Sequence, residues 1–362
     1  MGNQIAYYLL TLGYTVLYKK FQEEQEENDK GKLYSVLKGD VTDLGKAAFW
    51  EPMKDKAIYD FRYIISGLTQ NLSEITMSEV NLQMIALAQY INTAKNLEDT
   101  GRGDCIALCE IPKDKYVLNN KAYTGKTLIN KIKGGLDADP TGIIGSTYAA
   151  YFVPTVTYNL DSGADFNHNA EFPAAFHYLA CAAKAFQNFN EWYAVAGFNR
   201  GVSDMPVKSV SARIGDFAIN ELQPRNGGNA INVVTNIKGN YYLWGNRTSL
   251  TIGKELVAQD FLNIRQLVTS IKKELYVRCR EFTFDPNSDT LWINFCNSIT
   301  PLLDKMKGDQ GLKDYAIVRG KTNLKATLKA IIRIVPIEAV EDFDLIINLE
   351  DSITGTLVNI ED

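Results

Sequence analysis

The chain has 362 residues, of which 46% are apolar and 22% are charged, and its formal net charge at neutral pH is -5. This composition is typical of a globular protein long enough for two domains with separate cores. The negative charge argues against a general nucleic-acid binder, and no apolar run approaches the ~20 residues that a membrane-crossing helix needs. The first residues lack a basic stretch followed by an apolar one, so we expect no secretory signal peptide.

The first 56 residues contain little that indicates a core. We expect a short helix followed by a strand at residues 15–19, and then a glutamate-rich polar stretch at 22–32. Such a stretch is typical of an exposed loop, because it has no apolar period. Residues 46–53 show no clear period either, and we expect irregular structure there.

Residues 57–245 alternate between strand patterns and helix patterns. The strand patterns lie at 57–65, 105–111 and 148–158. The helix patterns lie at 78–91, 127–132 and 173–189. This alternation favours a largely parallel sheet with helices on both faces, the doubly wound α/β class.

The five cysteines are an odd number and are widely scattered, which favours a reduced compartment over a disulfide framework. Cys105 and Cys109 lie four residues apart in an apolar run, with no histidine or further cysteine nearby at metal-ligand spacing. We therefore expect buried thiols and no metal site.

Residues 246–349 show two helix patterns followed by strand patterns. Apolar residues recur at steps of four and three over the first helix, namely Val257, Phe261, Ile264, Val268, Ile271 and Leu275. This spacing predicts an amphipathic helix with polar residues on its other side. A second helix is expected to begin with Asn287, Ser288 or Asp289 as its cap and to end at Gly308. The apolar period then falls to two at 315–318, 328–334 and 343–349, which predicts a short sheet covered by the two helices.

The ordered set of motifs in this region resembles the C-terminal domain of contractile tail sheath proteins. The set comprises Trp-Gly-Asn-Arg-Thr at 244–248, the long helix, Phe-Asp-Pro at 284–286, Gly-Leu-x-x-Tyr at 311–315, and a strand ending at Pro336. Several segments of the preceding region, such as Arg-Gly-Asp-Cys-Ile-Ala-Leu at 102–108, are similar to the same family. These proteins form the outer cylinder of myovirus tails and have relatives in R-type bacteriocins and other contractile injection machines.

The resemblance implies four parts of the chain. They are an N-terminal helix–strand and polar loop segment at 1–56, a central α/β domain of subtilisin-like topology at 57–245, a smaller two-helix α+β domain at 246–349, and a C-terminal arm at 350–362. Sheath proteins usually carry an arm and several tens of residues before the first helix and strand. Their lack here has three explanations: a naturally short chain, an internal methionine as the start, or another chain that supplies that part.

The function implied by the resemblance is mechanical. The chain would polymerise as a helical cylinder around a tail tube and contract to drive the tube through a target cell envelope. Its partners would be other copies of itself, the tail tube protein, and the baseplate and tail terminator proteins, with no cofactor, no bound nucleic acid and no membrane insertion. It would be made and assembled in the cytoplasm of a host bacterium and reside in the virion tail. A headless bacteriocin or an injection system remains an alternative to a phage.

Two sets of residues are candidates for contacts between proteins. The acidic C-terminal end is either a solvated tail or an inter-subunit arm, and the resemblance favours an arm whose apolar residues are Phe343, Leu345, Ile347, Leu349, Leu357 and Ile360. The resemblance also places the tube contact on the C-terminal domain. There the basic candidates are Arg265, Lys272, Lys273, Lys305, Lys307 and Lys313.

The alternative from another class is a subtilisin-like or α/β hydrolase. A triad needs an imidazole next to a nucleophile, and the only histidines are His168 and His177. Neither precedes a nucleophile turn, and no Gly-x-Ser-x-Gly occurs. Gly-Lys-Thr at 125–127 lacks the earlier glycine of a phosphate loop, because that position is Asn120. We therefore assign no catalytic, cofactor-binding or metal-binding residues.

Overall fold

The structure, a computed structural model, describes ten ranges of the chain: residues 20–21, 36–37, 41–71, 76–91, 100–137, 144–159, 169–225, 228–250, 256–321 and 326–341. The helix and strand predicted for the first 19 residues, the polar stretch at 22–32 and the strand predicted at 343–349 lie outside these ranges.

The described residues form a mixed α/β structure. The strands are β1 (Lys20–Phe21), β2 (Val36–Leu37), β3 (Tyr63–Ile65), β4 (Ile106–Glu110), β5 (Val117–Leu118), β6 (Lys121–Ala122), β7 (Ala149–Val153), β8 (Val156–Asn159), β9 (Asn169–Phe172), β10 (Val207–Val210), β11 (Ile231–Ile237), β12 (Asn240–Trp244), β13 (Leu312–Gly320) and β14 (Lys329–Pro336). The helices are α1 (Ala47–Trp50), α2 (Met77–Ala88), α3 (Gly125–Asp137), α4 (Ala174–Ala185), α5 (Gly197–Arg200), α6 (Asp216–Leu222), α7 (Leu262–Glu281) and α8 (Asp289–Gly308).

The largest sheet has the strand order β12-β11-β7-β4-β3. Its strands β3, β4, β7 and β11 are parallel, and β12 joins β11 as an antiparallel edge. Every residue of β4 and of β7 is buried. Buried parallel strands read as unbroken apolar runs, because helices cover both faces of the sheet. The expectation of a largely parallel α/β sheet is confirmed, whereas the subtilisin-like topology stays a prediction.

Alternate side chains of the strands enter two cores on opposite faces of this sheet. Ala107 and Tyr151 lie in a cluster with residues of α2, α3 and α6. Their neighbours Leu108 and Phe152 lie in a second cluster with residues of α4 and with Leu262, the first residue of α7. The period of two along each strand therefore places helices on both faces.

Three predicted segments of this region differ from the structure. The strand expected at 57–65 is shorter, because turns precede Tyr63–Ile65. The strand expected at 148–158 is two strands, β7 and β8, which belong to different sheets. They separate at Pro154, whose ring nitrogen has no N–H for a strand ladder. The irregular structure expected at 46–53 is instead helical, since α1 and the 3-10 turn Glu51–Lys54 lie there.

A third apolar core lies between α7, α8, β13 and β14. Leu267, Ile271, Phe295, Ile299 and Leu303 are its buried centre. The start of α8 was predicted from its cap, and the Ser288 hydroxyl accepts the N–H of Leu291 at 3.2 Å. The second predicted helix is thereby confirmed from its cap to Gly308. The domain boundary predicted at residue 246 stays a prediction.

Candidate inter-subunit surfaces

The motif at 244–248 fastens the large sheet to the start of α7. Asn232 on β11 donates to the Arg247 carbonyl at 2.8 Å and accepts the Arg247 N–H at 2.9 Å. The side chain of Asn246 accepts the N–H of Asn263 at 3.1 Å and donates to its side-chain oxygen at 2.7 Å. Gly245 has a left-handed φ of 131°, and a Cβ there would lie 2.7 Å from Asn232 Oδ1. Its glycine is therefore required both by conformation and by close approach.

The first half of α7 is buried on both sides, which the sequence pattern did not predict. Asn263, Arg265 and Gln266, expected on a polar outer face, are at most 8% exposed. The Arg265 guanidinium lies 4.1 Å from the ring centroid of Tyr148, and burial lowers the pKa of Arg265. Gln266 donates to the Tyr63 hydroxyl at 2.9 Å. These polar side chains are buried because they contact Tyr63 and Tyr148, which lie at the amino ends of the parallel strands.

Two further residues of the predicted basic face are also engaged within the chain. Lys272 donates to the Gly103 carbonyl and to the Tyr148 hydroxyl, each at 3.0 Å. Lys273 pairs with Asp60, and this hydrogen bond lowers the pKa of the Asp60 carboxyl. The side chain of Lys273 is only 17% exposed. These two lysines and Arg265 therefore join helix α7 to the residues that precede β3, β4 and β7. Their expected role as a surface for a tube stays an untested prediction.

The other three basic candidates are exposed. Lys305 and Lys307 lie in the last turn of α8, and Lys313 lies near the start of β13. Lys307 pairs with Asp314 at 3.0 Å while keeping 48% of its side-chain surface. Exposed pairs of this kind contribute about 0–1 kcal/mol, so they can be exchanged for a partner at little cost.

The sheet formed by β13 and β14 is open within the described residues. Its two strands pair with one another over nearly their whole length, and neither pairs with a third described strand. One face packs on the third core through Tyr315, Ile317, Ile332 and Ile334. The other face exposes apolar side chains, with Val318 at 41%, Ile331 at 37% and Val335 at 50%. Two-stranded sheets are marginal alone, and exposed strand edges accept additional strands.

Comparison with known proteins identifies solved structures that share this fold. No family model matches the chain, and no curated protein matches its sequence. Solved structures do match, and three of those with a probability of 1.00 each cover 88% of the chain. A chain of the anti-feeding prophage (AFP) baseplate has a TM-score of 0.61, 15% identity and 76% of its own length covered.

The other two are sheaths in the contracted state. The sheath complex of an extracellular contractile injection system, PVC, has a TM-score of 0.59, 16% identity and 76% of its chain covered. The helical sheath of AFP has a TM-score of 0.59, 16% identity and 78% of its chain covered. The chain has the contractile sheath fold.

The residues predicted to form an inter-subunit arm follow the last described residue, Glu341. Phe343, Leu345, Ile347, Leu349, Leu357 and Ile360 all lie outside the described residues. The structure does describe the segment that leads to them, from Ile337 to Glu341. Its end is held by Arg247, which donates from Nε to both carboxylate oxygens of Glu341, at 3.0 Å and 3.1 Å.

The described histidine of this sheath fold has no nucleophile as its partner. His177 is fully buried on α4, and its Nδ1 lies 2.6 Å from the Tyr158 hydroxyl. Burial lowers the pKa of His177 to about 4. The other histidine, His168, lies outside the described ranges. The interpretation of His177 as a packed helix residue is confirmed by its burial.

Polar side chains do meet at the carboxyl ends of the parallel strands, where α/β enzymes place their sites. Thr155 donates to Glu171 at 3.0 Å, and its hydroxyl lies 2.6 Å from that of Ser211. Glu110 is 1% exposed, accepts the N–H of Ala175 at the start of α4, and has a pKa raised by burial. The first contacts join Thr155 to β9 and to the residue after β10, the last joins the end of β4 to α4, and none of them involves a histidine.

The remaining expectations concern the cysteines, metal sites and membrane-spanning helices. Cys105 and Cys109 are buried, as expected for apolar thiols, and Cys181 is buried as well. No cluster of His, Cys, Asp and Glu in the described ranges is arranged to hold a metal ion. Among the described helices, none combines the length and apolarity needed to cross a bilayer.

Proposed function

We propose that this chain is the subunit of a contractile sheath. It polymerises as a helical cylinder around a tube and shortens to drive the tube through a target envelope. The observation that carries the proposal is the fold match over 88% of the chain to sheaths of two contractile systems. No observation favours the hydrolase alternative, and the proposed role is non-enzymatic.

The open sheet of β13 and β14 is the proposed receptor for an arm of a neighbouring subunit. Its exposed face carries Val318, Ile331 and Val335, and the outer edges of both strands have free ladder positions among the described residues. An added strand would gain main-chain hydrogen bonds at an edge, and its apolar side chains would extend this apolar face. Side chains of the arm at every second position would supply the apolar contact.

The charges of the receptor and of the arm are complementary. The two strands and their ends carry one acidic residue, Asp314, and five exposed basic residues, Lys313, Arg319, Lys321, Lys329 and Arg333. The last 21 residues of the chain, 342–362, carry six acidic residues and no lysine or arginine. Opposite net charge speeds encounter and disfavours pairing between two receptors or between two arms.

The proposed mechanism is a change between two packings of the same subunits. Neighbours would rotate relative to one another during contraction while the arms keep them connected. Such a transition needs interfaces with two discrete arrangements, and no nucleotide is required because the energy is stored during assembly. The further proposed partners are the tube protein, the baseplate and a tail terminator protein.

Removing residues 351–362 tests the linking arm. The truncated chain should melt within about 1 °C of the full chain, because a short terminal strand adds little to its own subunit. It should nevertheless fail to sediment as a polymer under conditions in which the full chain does. A truncated chain that forms normal tubes would reject the arm. A truncated chain with a clearly lower melting temperature would show instead that the segment folds on its own subunit.

A further inference from the structure

Arg247 is the fourth residue of the motif at 244–248, and the family resemblance assigns it no role. Its side chain is 2% exposed, and its guanidinium lies 5.0 Å from the ring centroid of Phe261. Both of its backbone polar groups are bonded to Asn232 on β11. The guanidinium is therefore held by the large sheet and by the start of α7.

The partner of this fixed cation is the carboxylate of Glu341, which is the last described residue of the chain. Arg247 donates to it from Nε and from Nη2. A two-donor fork on a carboxylate fixes both distance and orientation, which a single flexible contact does not. Arg247 thus joins the part of the chain before α7 to the end of the segment after β14.

The segment from Ile337 to Glu341, called the exit segment here, is fastened at both of its ends. The N–H of Ile337 donates to the Gly311 carbonyl at 3.2 Å. Gly311 is itself packed so closely that a Cβ on it would lie 2.9 Å from Nε1 of Trp192. The exit segment therefore leaves the sheet of β13 and β14 and ends at the junction with the large sheet.

We propose that Arg247 anchors the base of the C-terminal arm at this junction. The chain therefore reaches Glu341 at a fixed point of the subunit in every state of the polymer. Release of Glu341 would leave a buried guanidinium without its carboxylate, which strongly disfavours detachment.

This inference rests on the proposed linking arm for its consequence, but the anchor itself is tested in the separate subunit. The test is hydrogen–deuterium exchange on unassembled protein, with Glu341→Gln compared with the full natural chain. Glu338→Gln is the matched control, because it removes an exposed carboxylate from the same segment. Amide exchange in the exit segment should rise about tenfold for Glu341→Gln, and further for Glu341→Ala, as the charge-assisted bonds are lost. Exchange in β13 and β14 should not change.

Equal exchange of the exit segment in Glu341→Gln and in Glu338→Gln would overturn the anchor. A rise in amide exchange that extends equally over β13 and β14 would also overturn it, because the Arg247–Glu341 pair would then stabilise the whole sheet and not the exit segment in particular. Assembly provides the second measurement. Where the arm links subunits, Glu341→Gln raises the protein concentration needed for polymerisation. Faster exchange with unchanged assembly would establish the anchor and reject the linking arm of the proposed function.

Discussion

His177 gives the chain a testable pH dependence at the scale of one residue. Its pKa of about 4 in the folded state lies below the ordinary value of a histidine, because burial disfavours the imidazolium. The folded state therefore binds a proton less readily than the unfolded chain. This contribution to stability is complete above about pH 6.5 and is lost as the pH falls toward about 4.

We predict that His177→Gln reduces stability less at low pH than at neutral pH. The difference in unfolding free energy between the natural chain and the variant should be about 2 kcal/mol smaller at about pH 5 than at about pH 7.5. Denaturant unfolding of both proteins at the two pH values measures it. A difference that does not change with pH would contradict the burial of a neutral imidazole.

The sequence did not predict the partners of several buried polar side chains. The motif at 244–248 marked Asn246 and Arg247 as important but gave no partner for either, because Asn232, Asn263 and Glu341 are distant in sequence. The polar residues Arg265 and Gln266 fit the outer face of an amphipathic helix. Their burial follows from a second core that packs on α7, and the periodicity of a single helix carries no signal of it.

At the scale of elements, the contact between Trp192 and the turn after α8 joins the third core to the rest of the chain. Trp192 donates from Nε1 to the Asp309 carbonyl at 3.0 Å. A Cβ on Gly311 would lie 2.9 Å from that same nitrogen and 3.1 Å from the Met306 carbonyl. We predict that Gly311→Ala lowers the melting temperature by about 5 °C, since overpacking a fixed contact costs about 1–3 kcal/mol.

The control for this substitution is Gly308→Ala, three residues earlier. A Cβ at Gly308 meets nothing within 4 Å, so its melting temperature should stay within about 1 °C of the natural chain. Thermal unfolding of the three proteins decides the matter. Equal melting temperatures for both variants would show that Trp192 moves aside at no cost and that the junction is looser than described.

The proposed tube contact also belongs to this scale, and Lys305, Lys307 and Lys313 are its exposed candidates. We predict that replacing all three by glutamate weakens binding to tubes without unfolding the subunit. Each exposed charge contributes little by itself, but the contributions add up over the many copies in a polymer. Co-sedimentation with tubes at low and high salt measures this. The control replaces Lys121, Lys126 and Lys238, three exposed lysines of the large-sheet region, by glutamate. Equal binding of both triple variants would remove these residues from the tube contact.

Elements were predicted best where local chemistry decides them. Ser288 as a cap and Gly308 as a stop are local signals, and α8 has the predicted bounds. The strands β7 and β8 were predicted as one, because both are apolar and the sequence does not say that Pro154 divides two sheets. Residues 41–54 form helical turns that pack around Trp50, whose Nε1 donates to the Leu44 carbonyl at 2.8 Å. Such tertiary contacts override a weak local pattern.

At the scale of the whole molecule, the alternation of strand and helix patterns predicted the class of the large sheet. It did not predict that the amino ends of the strands meet α7 through Tyr63, Gly103 and Tyr148. This contact makes the first half of α7 part of two cores at once. One end of the large sheet is thus covered by α7, while one face of the sheet of β13 and β14 keeps exposed apolar side chains among the described residues.

The central claim is that the chain polymerises into a hollow cylinder. Electron microscopy of the purified full chain, with the 1–350 truncation beside it, tests this claim directly. We predict helical tubes or stacked rings with an open lumen for the full chain, because the proposed acidic arm has a charge opposite to that of the exposed strands β13 and β14. Single separate particles at concentrations well above those of ordinary weak association, about 0.1 mM, would contradict the account.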